Sequence, residues 1–120
     1  MINEYHFGSI TIDDKIYEHD VEVRWTGKVL DWWREESHII DIKSLERAIG
    51  ESPEIIIIGT GKSGIAKVTE NAQNFIKEKE IELIIDRTEE AVKTFNVIKE
   101  ESEEEEGRQA KVIGLFHLTC

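Results

Sequence analysis

The chain has 120 residues, of which 39% are hydrophobic and 34% are charged, a balance typical of a single globular domain. Its formal net charge of −11 argues against nucleic-acid binding, because contacts with phosphate groups require a basic surface. No apolar run is long enough to cross a bilayer, so we expect no membrane insertion and a cytoplasmic location. The single cysteine, Cys120, excludes an internal disulfide and agrees with that compartment.

The first part of the chain predicts an antiparallel β-meander over residues 1–33. Short alternating apolar segments are separated by turn residues, among them the adjacent pair Asp13 and Asp14. At the end of this region stand Trp32 and Trp33, which must point to opposite faces if the backbone is extended. One indole is therefore expected on the outside, as a candidate interaction surface for another protein. A lid over the sheet is an equally good interpretation of the pair.

The rest of the chain predicts alternating helices and strands. Residues 41–50 have helical spacing of apolar residues, and Gly50 followed by Pro53 ends that helix. Residues 55–58 are four isoleucines, a β-branched run typical of a strand buried on both faces. Two helical and two further apolar segments complete a βαβαβ unit over residues 54–120, which predicts parallel strands with right-handed crossovers. The predicted fold is a single-domain α/β three-layer sandwich with a mixed sheet.

A glycine-rich loop follows the isoleucine strand. Gly59, Gly61 and Gly64 have the spacing of a dinucleotide-binding loop, and Asp86 follows at about the distance expected for a ribose-binding carboxylate. The best helix-start signal comes later, at Thr69, so the helix N-terminus would not face the glycines. We therefore favour a steric role for the glycines at the strand end and predict no cofactor, with a nucleotide site as the minor alternative.

Two further patterns could carry chemistry. His117 and Cys120 lie on opposite faces of a strand by alternation, which disfavours a shared metal or a thiolate–imidazole pair. We expect a core cysteine and a histidine satisfied by a neighbouring helix, with a redox or metal role as the alternative. The acidic run at residues 100–107 predicts the solvated end of a helix rather than a cation site, and we predict no metal.

Several segments in a fixed order carry a family resemblance. They include "GTG" after the isoleucine strand, "TEEAVKTFN" and the ending "HLTC". Over essentially its whole length the chain resembles a small uncharacterised domain shared by the human mitochondrial complex I assembly factor 3 and the adipogenesis-associated protein, with archaeal and bacterial relatives. The resemblance implies a three-layer α/β fold with a mixed sheet and no established reaction, and one branch of that family acts as an assembly factor through partner proteins.

The resemblance and the predicted topology together indicate where a ligand would bind. The family's strand-end turn and helix entry match positions that fall at the carboxyl ends of parallel strands, the edge at which α/β sheets place ligand crevices. The candidate pocket consists of Gly59, Thr60, Gly61, Asp86, Thr88 and Asn96.

The sequence favours a non-enzymatic protein-interaction or assembly-type module, with a protein partner and a possible homo-oligomer. No Ser–His–Asp ordering, HExxH or CxxC motif is present to indicate a reaction, and no catalytic residue can be named. The alternative is a small-molecule-binding or enzymatic site at the carboxyl edge of the sheet, near residues 59–61 and 86–88.

Overall fold

The structure is a computed structural model that describes residues 1–106 and 110–120, with the backbone alone described for residues 103–106. Within these residues it contains ten strands and three helices. The strands are β1 (Ile2–His6), β2 (Ser9–Ile12), β3 (Lys15–Tyr17), β4 (Val21–Arg24), β5 (Val29–Asp31), β6 (Ile39–Ile40), β7 (Ile55–Thr60), β8 (Lys67–Val68), β9 (Glu82–Asp86) and β10 (Val112–His117). The helices are α1 (Ile42–Ile49), α2 (Glu70–Glu78) and α3 (Thr88–Glu106).

A five-stranded mixed sheet forms the centre of the molecule, with the strand order β5-β4-β10-β7-β9. Strands β10, β7 and β9 are parallel to one another, whereas β4 pairs antiparallel with β10 and with β5. The predicted α/β fold with a mixed sheet is therefore confirmed. A short parallel pair, β6 with β8, lies apart from this sheet.

The N-terminal meander is divided between two sheets. Strands β1, β2 and β3 form an antiparallel sheet of their own, and β4 and β5 join the edge of the central sheet. Asp13 and Asp14 close the β2–β3 hairpin with positive φ angles of 48° and 68°, a conformation that short Asp side chains tolerate. Asn96 of α3 holds the small sheet in place, because its side chain bonds both the N–H and the C=O of Ile2.

Two apolar cores lie on the two faces of the central sheet and give the fold its three layers. Helices α1 and α2 cover one face, where the buried residues include Leu45, Ile56, Ile58, Ala72, Ile76, Ile113 and Leu115. Helix α3 and the small sheet cover the other face, where they include Ile2, Ile10, Ile12, Ile57, Ala91, Phe95 and Phe116. Burial of each of the larger side chains stabilises the fold by about 1.5–3 kcal/mol.

The helix ends follow the capping signals in the sequence. The Asp41 carboxylate accepts a hydrogen bond from the N–H of Ser44 at the start of α1. The Thr69 hydroxyl accepts one from the N–H of Ala72, so the predicted late start of α2 is confirmed. Helix α3 includes most of the acidic run, to Glu106, and residue 107 lies outside the described residues. None of the helices described is long and apolar enough to span a membrane.

Candidate functional site

The glycine loop, residues 59–65, is filled by the protein itself. Gly61 has a φ of 104°, and a Cβ there would lie 2.6 Å from the main-chain oxygen of Cys120. A Cβ on Gly59 would lie 2.8 Å from the hydroxyl oxygen of Thr88. The steric role that we predicted for these glycines is therefore confirmed: one permits the turn and the other permits close packing.

The main-chain amides of this loop donate to oxygens of the same chain. The N–H of Gly61 donates to the Thr88 hydroxyl at 2.9 Å, and the N–H of Lys62 donates to the Thr119 carbonyl at 2.7 Å. The N–H of Ile65 donates to the main-chain oxygen of Cys120 at 3.2 Å. A pyrophosphate would need these same donors, which are bound to Thr88 and to the segment that follows β10.

The structure brings most of the predicted pocket residues together. The Thr60 hydroxyl donates to the main-chain carbonyl of Asp86 at 3.0 Å, and Thr88 is completely buried beside Gly61. Asp86 is exposed, with its carboxylate accepting from the N–H of Arg87. Asn96 lies elsewhere, because its side chain is bound to β1.

His117, the last residue of β10, joins the glycine loop to a second cluster. Its carbonyl accepts a 2.6 Å hydrogen bond from the Thr88 hydroxyl, on the loop side. Its buried imidazole points the other way, and Nδ1 lies 2.7 Å from Oδ2 of Asp20. The same Nδ1 lies 2.9 Å from Nη2 of Arg34. A carboxylate only accepts hydrogen bonds and a guanidinium only donates them, so the two contacts ask opposite roles of Nδ1, and the shorter one, to Asp20, favours a proton on Nδ1.

Asp20 is the centre of that second cluster. Besides His117, its carboxylate accepts from the N–H of Leu118 at 2.8 Å and from Nη2 of Arg34 at 2.8 Å. Burial alone would raise the pKa of Asp20, but the hydrogen bonds from His117, Leu118 and Arg34 outweigh it and hold the pKa below its usual value. The group is therefore a permanently charged anchor at neutral pH.

Arg34 is unusually buried for a charged residue: its side chain is only 3% exposed, whereas arginine is mostly exposed in folded proteins. Its Nη2 atom donates to Asp20 and to the carbonyl of Ser37, and the guanidinium carbon lies 4.3 Å from the centre of the Trp32 ring. Within the described part of the chain, Nε and Nη1 have no hydrogen-bond partner. Stacking on the indole compensates part of that cost, which is about 1–3 kcal/mol for a buried unsatisfied donor.

The two tryptophans point to opposite sides, as alternation predicts. Trp32 is buried, and its indole N–H donates to the carbonyl of Ser44 in α1 at 2.9 Å. Trp33 is 72% exposed, the most exposed of the large hydrophobic side chains in the described residues. We call residues 32–38 the tryptophan segment.

Two clefts lie beside Trp33, and both are bordered by Trp33 and Arg34. One has a volume of about 430 Å³ and is also lined by His19, Asp20, Asp31, Trp32 and Ser37. The other has a volume of about 250 Å³ and is also lined by Glu35, Asp41, Lys43, Ser44, Glu46 and Arg47. The exposed indole therefore separates two concave surfaces that carry mixed charges.

The cluster around Asp20 and His117 contains the residue types of an acid–base site, but the contact between His117 and the Thr119 hydroxyl is long. Nε2 of His117 lies 3.4 Å from the Thr119 hydroxyl, longer than a working nucleophile–base hydrogen bond. Cys120 is half-buried and forms no disulfide, and the described residues contain no group of three or more metal-ligating side chains placed to hold an ion. The arrangement is well suited to fixing the orientation of His117 and the tryptophan segment.

Reasoning from the sequence alone missed Asp20 and Arg34. Asp20 meets His117 because β4 and β10 pair antiparallel, with Val21 opposite Phe116, and this register places the preceding and following residues opposite each other. In the sequence, His117 itself indicated that such a cluster exists, since a histidine at the end of a buried strand needs a polar partner. We expected that partner on a neighbouring helix, and this was wrong: it precedes the neighbouring strand.

Together, the three layers, the mixed sheet and the small antiparallel sheet define a compact three-layer α/β domain. A family model described as a protein of unknown function (DUF498/DUF598) matches residues 2–110, and the chain belongs to that family. The resemblance to a small uncharacterised domain family with archaeal and bacterial members is thereby confirmed.

Solved structures agree with this membership. The chain is 25% identical to the conserved hypothetical protein PH1505 from Pyrococcus horikoshii OT3, with a TM-score of 0.81 over 100% of this chain and 99% of that one. It is 28% identical to MT938, with a TM-score of 0.77 over 100% and 98% of the two chains. A Mth938-like domain from Bordetella pertussis is 17% identical with a TM-score of 0.74 over 98% and 85%, and this match concerns the fold alone.

Proposed function

We propose that this protein is a protein-interaction module whose main contact is the indole of Trp33. The observation that carries the proposal is an exposed tryptophan held between two anchored neighbours. Tryptophan is the side chain most enriched among residues that dominate binding energy at protein interfaces. Its large ring removes much apolar surface from water when a partner covers it.

Support for the proposal comes from the way in which Trp33 is held. On one side Trp32 is fixed to α1 by its hydrogen bond to Ser44, and on the other Arg34 is fixed to Asp20. The backbone between these anchors has little freedom to lose on binding. A rigid aromatic side chain loses less entropy when a partner closes over it, so more of its contact energy appears as affinity.

The clefts beside Trp33 describe the partner's surface in outline. A partner would place apolar groups around the indole and polar groups over the charged rims, in the usual arrangement of a dry centre and a wet rim. A second copy of this chain and an unrelated protein both meet that description. We place the interaction in the cytoplasm, on the basis of composition and the single cysteine.

The proposal is tested by replacing Trp33 with alanine. Wild-type protein and Trp33→Ala, each immobilised, are used to capture proteins from a lysate of the source organism, followed by quantitative mass spectrometry. We expect the specific partner to be depleted at least tenfold, about 1.4 kcal/mol, in the Trp33→Ala sample. Sedimentation velocity of both forms tests for self-association in the same way.

Phe7→Ala is the matched control. Phe7 is another exposed aromatic residue, 60% accessible, in the turn between β1 and β2. Its replacement removes a similar apolar area without touching the tryptophan segment. Identical captured proteins and identical sedimentation for all three forms would count decisively against the proposal.

The second candidate function is a small-molecule or enzymatic site at the carboxyl edge of the sheet, near residues 59–61 and 86–88. What supports it is that five of the six predicted pocket residues lie at this edge, beside His117 and Thr119. A thermal-shift screen with nucleotides, acyl compounds and phosphates tests it. Ligand at 100 times its Kd stabilises a protein by about 2.7 kcal/mol, so a flat response to every class would exclude the candidate.

A further inference from the structure

The strand β9 forms one edge of the central sheet, and in the part of the chain that the structure describes its outer side has no strand partner. Its inner side pairs in parallel with β7, and the N–H of Glu82 donates to the carbonyl of Glu54. Because main-chain groups alternate along a strand, Ile84 and Asp86 also face β7, whereas Leu83 and Ile85 direct their N–H and C=O groups outward. Among the described residues no strand lies beside this outer edge.

A groove runs along this edge between β9 and α2. Its volume is about 540 Å³, and it is lined by Gln73, Asn74, Lys77, Ile81, Leu83 and Ile85. Ile85 is 40% exposed there, on the same face of the strand as Leu83. The edge therefore offers two main-chain donors and two acceptors beside a groove in which polar side chains of α2 face the apolar Leu83 and Ile85 of the strand, and unpaired strand edges of this kind accept added strands.

The charges on the other face of β9 determine what can pair with it. Glu82 and Asp86 are both exposed and flank the partly buried Ile84. If two copies paired antiparallel about Ile84, Glu82 of one copy would lie opposite Asp86 of the other, and like charges opposite each other destabilise a pair. The chain as a whole carries a net charge of −11, which adds to this repulsion.

We infer that β9 accepts an extended segment of a different protein by strand addition, and that this segment carries basic residues four positions apart. The basic residues lie opposite Glu82 and Asp86. Counted from the first basic residue as position one, the residues at positions two and four are apolar. They lie against Leu83 and Ile85 in the groove, because side chains alternate between the two faces. This surface is separate from the tryptophan segment, and either can exist without the other.

A synthetic peptide tests the inference. The probe is the capped heptapeptide Thr-Lys-Val-Thr-Val-Lys-Thr, whose sequence is the same in both directions and so suits parallel or antiparallel addition. The control peptide has glutamate in place of both lysines. Titration into ¹⁵N-labelled protein is expected to shift the amide signals of Leu83 and Ile85, with the basic peptide binding about tenfold more tightly than the acidic one.

Two variants separate strand addition from general attraction to an acidic protein. Ile85→Pro removes an outward N–H without removing a bond to β7, and is expected to weaken binding of the basic peptide about tenfold. The double variant Glu82→Lys/Asp86→Lys keeps the backbone unchanged and is expected to reverse the preference between the two peptides. Circular dichroism on heating checks folding, and the double variant keeps the test decisive if Ile85→Pro unfolds.

Several results would overturn the inference. Equal affinity for the two peptides, signal shifts confined to other surfaces, or no saturation at about 1 mM peptide would each show that β9 is not such a site. Concentration-dependent dimerisation that Ile85→Pro abolishes would assign the edge to a second copy of the chain instead.

Discussion

The glycine loop and the tryptophan segment lie on opposite sides of His117, and they differ in how their polar groups are used. In the loop, the N–H groups of Gly61 and Lys62 donate to oxygens of the same chain, and the space beside the glycines is filled. In the tryptophan segment, two nitrogens of Arg34 lack partners among the described residues, and Trp33 is exposed to solvent.

The glycine loop resembles a binding site in the sequence, whereas the tryptophan segment has the features of a binding site in the structure. A glycine motif indicates that the backbone must approach something closely, and here it approaches Thr88 and Cys120. The tryptophan segment instead combines an exposed indole with a buried arginine that has two unpaired nitrogens among the described residues, and such unpaired buried groups carry an energetic cost. The proposed function therefore relies on the exposed and unpaired groups of the tryptophan segment and not on the glycine motif.

The largest effect that we predict is for Asp20→Ala, because it leaves Arg34 buried with no ionic partner among the described residues. Loss of one member of a buried pair costs about 3–5 kcal/mol, and we expect that loss in the free energy of unfolding measured with urea. The matched control is Asp31→Ala. Asp31 is exposed, and among the described residues its carboxylate pairs only with His19, so its removal should change stability by less than about 0.5 kcal/mol. Similar values for the two variants would refute the idea that Asp20 anchors the tryptophan segment.

In the glycine loop, we predict that Gly61→Ala lowers the free energy of unfolding by about 3 kcal/mol, a smaller effect. The control is Gly27→Ala, since Gly27 also has a positive φ, 93°, but a Cβ there meets no atom within 4 Å. We expect Gly27→Ala to lower the free energy of unfolding by about 1 kcal/mol, the cost of placing a non-glycine residue at a positive φ. The difference between the two in urea unfolding measures the crowding at Gly61, and equal costs would mean that the loop is not tightly filled.

The smallest effect that we predict is in the pH dependence of the free energy of unfolding. It is measured by comparing wild type with Asp20→Asn. Because the folded-state pKa of Asp20 is lowered, its stabilisation is complete above the unfolded value of about 3.9 and is lost as pH falls through the folded pKa. The gap in unfolding free energy between wild type and Asp20→Asn should therefore narrow below about pH 4. A gap that stays constant from pH 7 to about pH 2 would show that the charge of Asp20 contributes nothing to stability.

Much of the fold followed from local signals in the sequence. The isoleucine run of β7, the Thr69 cap and the opposite orientation of Trp32 and Trp33 each depend on residues close together in the chain. Such features are set by alternation, β-branching and capping, and these act over a few residues.

Features that depend on the pairing of distant strands could not be predicted in this way. The division of the meander between two sheets and the contact of Asp20 with His117 both depend on which strand lies beside β10 and in which register. Alternation specifies the face of each residue but not its neighbour across the sheet. Arg34 was missed for the same reason, since its burial depends on Asp20.

The position of β10 has a consequence for how the chain acquires its structure. This strand follows β4, β5, β7 and β9 in chain order, yet it lies third in the five-stranded sheet, between β4 and β7. During synthesis, the ribosome must therefore release nearly all of these residues before the sheet can close. Until then β7 lacks one of its two neighbouring strands, so the main-chain groups of its isoleucines stay unpaired on that side, and unpaired strand edges favour aggregation.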